Sequence, residues 1–152
     1  MNIQETVDYH ISSTQFAMRR MYNMLAMESG ITHGIGYALT YIGREGVPAT
    51  KIAPMMGMNS SSLSRLLKTM EDEGLIYRKP DKKDKRVVMI FCTEAGLELR
   101  EKVKRAVAAF NERLMKRITP EDHAAFLRVN NAIKEQVKED VAAFQKTLNK
   151  TQ

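Results

Sequence analysis

Residues 50–96, TKIAPMMGMNSSSLSRLLKTMEDEGLIYRKPDKKDKRVVMIFCTEAG, constrain the fold more tightly than any other part of the chain. Leu63, Leu66, Leu67 and Met70 stand at i, i+3, i+4 and i+7, the spacing of one apolar helix face. Asn59 or Ser60 just before that run is suited to cap the helix, and Gly74 just after it is suited to stop it. A shorter helix is predicted from residue 50 to about residue 56. Its Ala53 is small enough for a close helix crossing, and Gly57 can adopt the turn conformation beyond it. Leu63, ten residues after Ala53, then becomes the buried anchor of the second helix. The pattern is that of a helix-turn-helix.

This assignment decides which side chains face outward. Ser60, Ser61, Ser62, Ser64, Arg65 and Lys68 fall on the outer side of the second helix. Short hydroxyls let a helix backbone approach a DNA groove closely and can hydrogen-bond bases or phosphates. Arg65 suits a bidentate contact to a guanine edge, and Lys68 suits a phosphate. The plain alternative is a capped helix with solvated charges. The segment C-terminal to this helix weighs against it. Leu75-Ile76-Tyr77 begins a strand, and residues 87–91 form an apolar strand returning antiparallel. Between them, residues 78–86, RKPDKKDKR, carry six basic and two acidic side chains, net +4. So charged a loop is long for an ordinary hairpin and reads as a wing, with Lys82, Lys83, Lys85 and Arg86 available to nucleic acid.

The flanks read as helices. Val7, Ile11, Met18, Met21 and Leu25 recur at helical spacing and predict an amphipathic helix ending near Ser29-Gly30. A second helix is predicted over residues 37–42, with Gly34 and Gly36 weakening its start and residues 43–48 stopping it. Thr93-Glu94 opens a long helix carrying Leu99, Val103, Val107, Phe110, Leu114 and Ile118 on one side. Thr119-Pro120-Glu121 restarts the helix, with Thr119 as cap and Pro120 in the first position. The last helix bears Phe126, Val129, Ile133, Val137, Val141, Phe144 and Leu148, a stripe too long for so small a domain to cover, so a second chain is expected on it. Residues 149–152 are expected to fray.

Composition narrows the function. The chain has 152 residues, 24 basic against 18 acidic, for a net charge of +6 and a pI near 9.5, which favours a polyanionic partner. The N-terminus, MNIQETVDYHISS, lacks the pattern of a signal peptide. No apolar run approaches the ~20 residues of a membrane helix. A soluble cytoplasmic protein without membrane association is expected, and the one cysteine fits a reducing compartment. His10, His33 and His123 are widely separated and show no metal-ligand spacing. No catalytic constellation, phosphate loop or cofactor motif is present, so an enzyme is not expected. Cys92, at the end of the returning strand, reads as buried packing rather than a redox sensor.

The run S-x-x-L-S-R-L-L-K-T-M-E-D-E-G-L-I-Y-R-K-P-D-K-K-D-K-R-V-V, closing in T-E-A-G, resembles the multiple-antibiotic-resistance regulator (MarR) family over roughly residues 35–100. The resemblance implies a homodimer whose N- and C-terminal helices interlock, with a winged helix on each subunit binding a palindromic operator. It places the reader helix at residues 60–73. The family's wing pattern, Asp-x-Arg-Asp-x-Arg, is matched by Asp81, Lys83, Asp84 and Arg86, with Asp84 expected to brace Arg86. The departure is Lys83 at the tip, where a hydrated point charge replaces a planar fork. The resemblance also implies a small apolar or aromatic effector between dimerisation helices and winged helix. Met18, Met21, Tyr22, His33, Tyr37 and Tyr41 would line it, and Arg19 could pair an anionic one. Among eleven methionines, Met18, Met21, Met24 and Met27 cluster in the first helix, where adaptable core filling is the simpler account.

The expected fold is therefore mainly α with a small β-wing: a winged helix-turn-helix (residues 31–95) flanked by N-terminal (1–30) and C-terminal (96–148) dimerisation helices in one intertwined domain. The expected function is a sequence-specific transcriptional regulator, a repressor binding double-stranded DNA at a pseudo-palindromic operator and released by an effector. The alternative is a winged-helix protein-interaction module without specific DNA binding.

Overall fold

Short polar side chains start most helices of this chain, seen in a computed structural model that describes residues 1–149. After a 3-10 turn at Ile3–Glu5, the Thr6 hydroxyl accepts the Tyr9 N–H at 3.3 Å and opens α1 (Val7–Met27). Thr32 does the same for α2 (His33–Tyr41), accepting from Ile35 N–H at 3.3 Å. α2 thus begins well before the expected residue 37. The two glycines do not prevent it, because the Thr32 cap supplies the start and Gly36 is buried, where an added Cβ would sit 3.4 Å from Val103.

A two-residue strand, β1 (Val47–Pro48), comes next, where the sequence suggested only a break. Then come α3 (Ala49–Met56) and α4 (Ser60–Asp72), separated by a turn in which Gly57 has φ +63°. Strands β2 (Ile76–Pro80) and β3 (Val88–Cys92) pair antiparallel, and β1 adds to the other side of β3 in the order β1-β3-β2. Arg78, Lys79 and Pro80, expected in the loop, belong to β2 and pair with Ile90, Met89 and Val88. Pro80 is tolerated because β2 is an edge strand, where its missing N–H breaks no ladder. The returning strand also begins one residue later than the expected residue 87.

α5 (Glu94–Met115) and α6 (Pro120–Leu148) complete the chain. Ile118, expected on the long helix, lies beyond its end, since the Thr119-Pro120 restart breaks the helix first. Thr119 and Asp122 form a reciprocal capping box, with bonds of 2.9 and 3.1 Å. Asn149 continues the hydrogen bonding, donating to Gln145 O at 3.1 Å. The rest of the segment expected to fray lies outside the described residues.

Two compact units divide the chain, Met1–Ala108 and a second beginning at Ala109. The core of the first is built by Ile35, Ala38, Leu39 and Ile42 around α2, Ile52 and Ala53 of α3, Leu63, Leu67 and Met70 of α4, and Ile76, Ile90 and Cys92 of the sheet. Leu66, Leu97, Leu99 and Val103 pack against it half-buried. The expected helix-turn-helix anchors, Ala53 and Leu63, are both buried. On α1, Val7, Ile11, Phe16 and Met24 are exposed, Phe16 at 71%. In the second unit α6 leaves Phe126, Val129, Val137, Val141, Phe144 and Leu148 exposed, Phe144 at 70%. Among the described residues, no helix is long and apolar enough to cross a membrane.

Candidate nucleic-acid interface

The apolar face of α4 is consumed by the core, so its polar face has nowhere to go but out. Ser60, Ser61, Ser64, Arg65 and Lys68 are exposed, and Ser62 is half-buried. Asn59 is the cap: its carboxamide oxygen accepts Ser62 N–H at 2.8 Å and the Ser61 hydroxyl at 2.9 Å. Arg65 has no ion-pair partner among the described residues, whereas Lys68 lies 3.2 Å from Asp72 one turn on. That exposed pair is weak and leaves the ammonium free to exchange partners.

The wing is a braced loop. Asp81 N–H donates to Val87 O at 2.8 Å and Val87 N–H to Asp84 O at 2.9 Å, closing residues 81–87. Inside, one Asp81 carboxylate oxygen accepts the N–H groups of Lys83 (2.8 Å) and Asp84 (3.0 Å). Asp84 holds the Arg86 guanidinium in a fork, at 3.0 and 3.1 Å, and also accepts Arg86 N–H at 3.1 Å. The expected brace is therefore present. Backbone N–H groups of Asp84 and Lys83 hold the Asp81 carboxyl below the usual carboxylate range, and the Arg86 guanidinium does the same to Asp84. Lys82, Lys83 and Lys85 are exposed and form no salt bridge among the described residues, although the Lys83 charge also helps hold the Asp81 carboxyl down.

At the base of the wing, Arg78 pairs with Glu71 of α4 at 3.0 Å, and Tyr77 stacks on Phe91 with ring centroids 5.4 Å apart. Lys79 lies 5.0 Å over the Tyr77 ring. Thr93 ties the end of the sheet to the end of α4: its N–H donates to Leu75 O at 3.0 Å and its hydroxyl to Gly74 O at 2.7 Å. Gly96 stands three residues on, and any Cβ there would collide with the Leu75 carbonyl oxygen. The sequence reading missed β1, Arg78, Lys79 and this junction. Only the Thr-Glu-Ala-Gly motif hinted at the last.

Of the expected effector-lining residues, the fold brings four together. Tyr22 stacks on His33 at 5.9 Å, His33 on Tyr37 at 5.8 Å, and Tyr37 meets Tyr41 edge-on at 5.2 Å. The Tyr41 hydroxyl donates to Tyr37 at 2.8 Å, and this bond is the chief reason its pKa is pushed up to about 12. Burial, then the nearby Arg19 charge, lowers the pKa of His33. Met18 is exposed and Met21 half-buried on α1, one turn and one residue before Tyr22. An open groove of about 510 Å³ lies beside Tyr41, between Arg44 and Arg100. Both guanidinium groups are engaged internally: Arg44 with Glu94 at 2.9 Å, and Arg100 with Leu39 O at 3.0 Å and Glu101 at 3.1 Å. Cys92 is buried, its thiol donates to Ile42 O at 3.2 Å, and burial pushes its pKa up. Among the described residues, no group of three or more His, Cys, Asp or Glu could hold a metal ion.

Comparison with known proteins identifies this arrangement. The MarR family profile matches residues 43–88, which run from the turn before β1 to the start of β3. The organic hydroperoxide resistance transcriptional regulator of Bacillus subtilis (strain 168) is 30% identical over 103 residues, 67% of this chain and 70% of that protein. The chain belongs to the MarR family of transcriptional regulators. The HTH-type transcriptional regulator PetP of Rhodobacter capsulatus is 29% identical over 97 residues, and that match spans 63% of this chain but only 58% of PetP. A regulator from Listeria monocytogenes, described as a MarR family member and complexed with 26mer DNA, superimposes with a TM-score of 0.79 at 23% identity, covering 90% of this chain and 91% of that one. The fold is thus the MarR winged helix.

Proposed function

We propose that this MarR-family chain is a homodimeric, sequence-specific DNA-binding regulator acting in the cytoplasm as a repressor of a pseudo-palindromic operator. The observation that carries the reading is the pairing of an exposed Ser/Arg face on α4 with a braced wing, whose three lysines form no salt bridge among the described residues. Ser60, Ser61, Ser62, Ser64 and Arg65 would enter the major groove, Lys68 would meet a phosphate, and Lys82, Lys83, Lys85 and Arg86 the flanking backbone or minor groove. The relatives' names and the DNA-bound relative support the same reading. Exposed apolar faces on α1 and α6 support a second copy of the chain as their cover, in an intertwined dimer. A two-fold dimer would read half-sites about one helical turn (~34 Å) apart.

A small apolar or aromatic effector would act at the Tyr22-His33-Tyr37-Tyr41 stack, with Met18 and Met21 alongside, by favouring a dimer whose reader spacing no longer fits. Thiol oxidation is not the proposed signal, although the Bacillus subtilis relative is named for hydroperoxide resistance. A thiol reacts as its thiolate, and burial of Cys92 disfavours that form.

Selection of bound genomic fragments by the purified protein at near-physiological salt tests the reading, with sedimentation to give the subunit count. Enrichment of a pseudo-palindrome by a dimer is expected. Uniform weak binding would overturn it in favour of a protein-interaction module.

A further inference from the structure

The hydroxyls on the reader helix do not all keep the same hydrogen-bonding capacity, and this bears on which bases they can read. A serine hydroxyl has one proton to donate and two lone pairs to accept with. Ser60 and Ser64 are exposed, their hydroxyls have no side-chain partner among the described residues, and they keep both capacities. Ser61 is different, because its oxygen lies 2.9 Å from the Asn59 carboxamide oxygen. The carboxamide orientation is fixed by a second contact: the same oxygen lies 2.8 Å from Ser62 N–H, a donor that requires an acceptor. Ser61 must therefore be the donor in its contact with Asn59. Its only proton is committed, and its exposed lone pairs remain.

We propose that Asn59 locks Ser61 as an acceptor-only reader, so that the base facing Ser61 must offer an exocyclic amine, adenine N6 or cytosine N4. The inference rests on the DNA-binding function proposed above. In the major groove adenine and cytosine present an amine hydrogen at their exocyclic positions, whereas guanine O6 and thymine O4 are acceptors. Two acceptors face to face leave both unpaired in a desolvated interface, which is costly. The resulting rule separates amine-bearing from keto-bearing bases on one strand. It tolerates exchange of A with C and rejects the commoner transitions of A to G or C to T. Asn59 is a positioning residue here: it sets the direction of the Ser61 proton and need not touch DNA. Arg65, one turn beyond Ser61, donates only, so the two residues would impose opposite requirements on their bases.

The test is selection of bound sites from a randomised operator library by the parent and three variants, with thermal unfolding of each as a check on folding. For the parent, one position per half-site should prefer A or C over G or T by about tenfold, the discrimination expected of a good base contact. Ser61→Ala should lose that preference and leave the other positions unchanged. Asn59→Gly keeps an acceptable cap but frees the Ser61 proton, so G and T should become tolerated at that position. Asn59→Asp still accepts from both Ser61 and Ser62, so it should keep the preference even where its added charge weakens binding to all DNA. The inference is overturned if Ser61→Ala relaxes a position that the parent fills with G or T, if it relaxes none, or if Asn59→Gly retains the parent's preference. In those outcomes specific DNA binding itself stands. A parent that enriches no site would overturn both the function and this inference.

Discussion

If the wing grips DNA as proposed, its ion pairing sets how much it contributes. Of the four basic side chains in the loop, Arg86 is held by Asp84, while Lys82, Lys83 and Lys85 form no salt bridge among the described residues. Each lysine that neutralises a phosphate releases about 0.9 of a counterion, which adds that amount to the slope of log affinity against log salt. Lys83→Ala should therefore lower the slope by about 0.9, and Lys82, Lys83 and Lys85 all replaced by Gln by about 2.7. Over a change from about 50 to about 200 mM salt, the triple variant would forgo a roughly 40-fold fall in affinity that the parent suffers. The weakening should be equal on operator and scrambled duplexes, since phosphates carry no sequence information. Fluorescence anisotropy of both duplexes across a salt series measures it. A triple variant with the parent's slope would place the wing off the DNA and refute the reasoning.

Three further outcomes are expected. Gly96→Ala would press a methyl group into the Leu75 carbonyl and should destabilise the fold by about 1–3 kcal/mol, lowering the thermal midpoint by several degrees; an unchanged midpoint would show that the junction yields freely. Cys92 should resist alkylation in the folded protein and react on unfolding, and an organic hydroperoxide should leave DNA binding intact; peroxide release abolished by Cys92→Ser would reverse that assignment. Asp81 and Asp84 have folded pKa values below their unfolded ones, so their stabilisation is fully present above the usual carboxylate range near pH 4 and is lost as pH falls through the lowered values. Carboxyl NMR should show Asp84 titrating below an ordinary aspartate, and an ordinary midpoint would mean the Arg86 fork is absent in solution.

Much of this architecture was legible because its signals are local. Asn59, Leu63, Leu67, Met70 and Gly74 specify a capped, one-faced helix with a stop, and that alone turns Ser61, Ser64 and Arg65 outward. Thr119 as cap and Pro120 in the first position placed the start of the last helix at Pro120, where it lies. The features that escaped depend on partners distant in sequence. β1 is two residues whose strand character comes from Ile90 and Met89, and Val47-Pro48 without them reads as a break. Arg78 and Lys79 look like loop residues until Glu71 and the Tyr77 ring hold them along β2. The aromatic stack joining Tyr22 on α1 to three residues of α2 did not escape in the same way: its four residues were expected together from the family resemblance, though helical periodicity alone does not encode the encounter. The Ser61 proton is a finer case, since its direction is decided by a bond to a neighbour that sequence reading treats only as a cap.

The two aspartates in the wing are the least expected part of a basic finger, because each subtracts a charge from a loop that would grip phosphates. Residues 78–86 carry a net +4 where six basic side chains alone would give +6. Yet ordering a free backbone costs about 1–2 kcal/mol per residue, and residues 81–87 would incur that cost on meeting DNA if nothing held them beforehand. Asp81 fixes the turn through two backbone N–H groups, and Asp84 fixes Arg86 through its fork. The cost of ordering is then met in folding rather than in binding. The exchange favours the aspartates because an exposed charge is screened within about 10 Å at 0.1 M salt, whereas the ordering cost is not screened at all. In the proposed interface the lysines would supply the wing's attraction, and the aspartates would determine where that attraction is aimed.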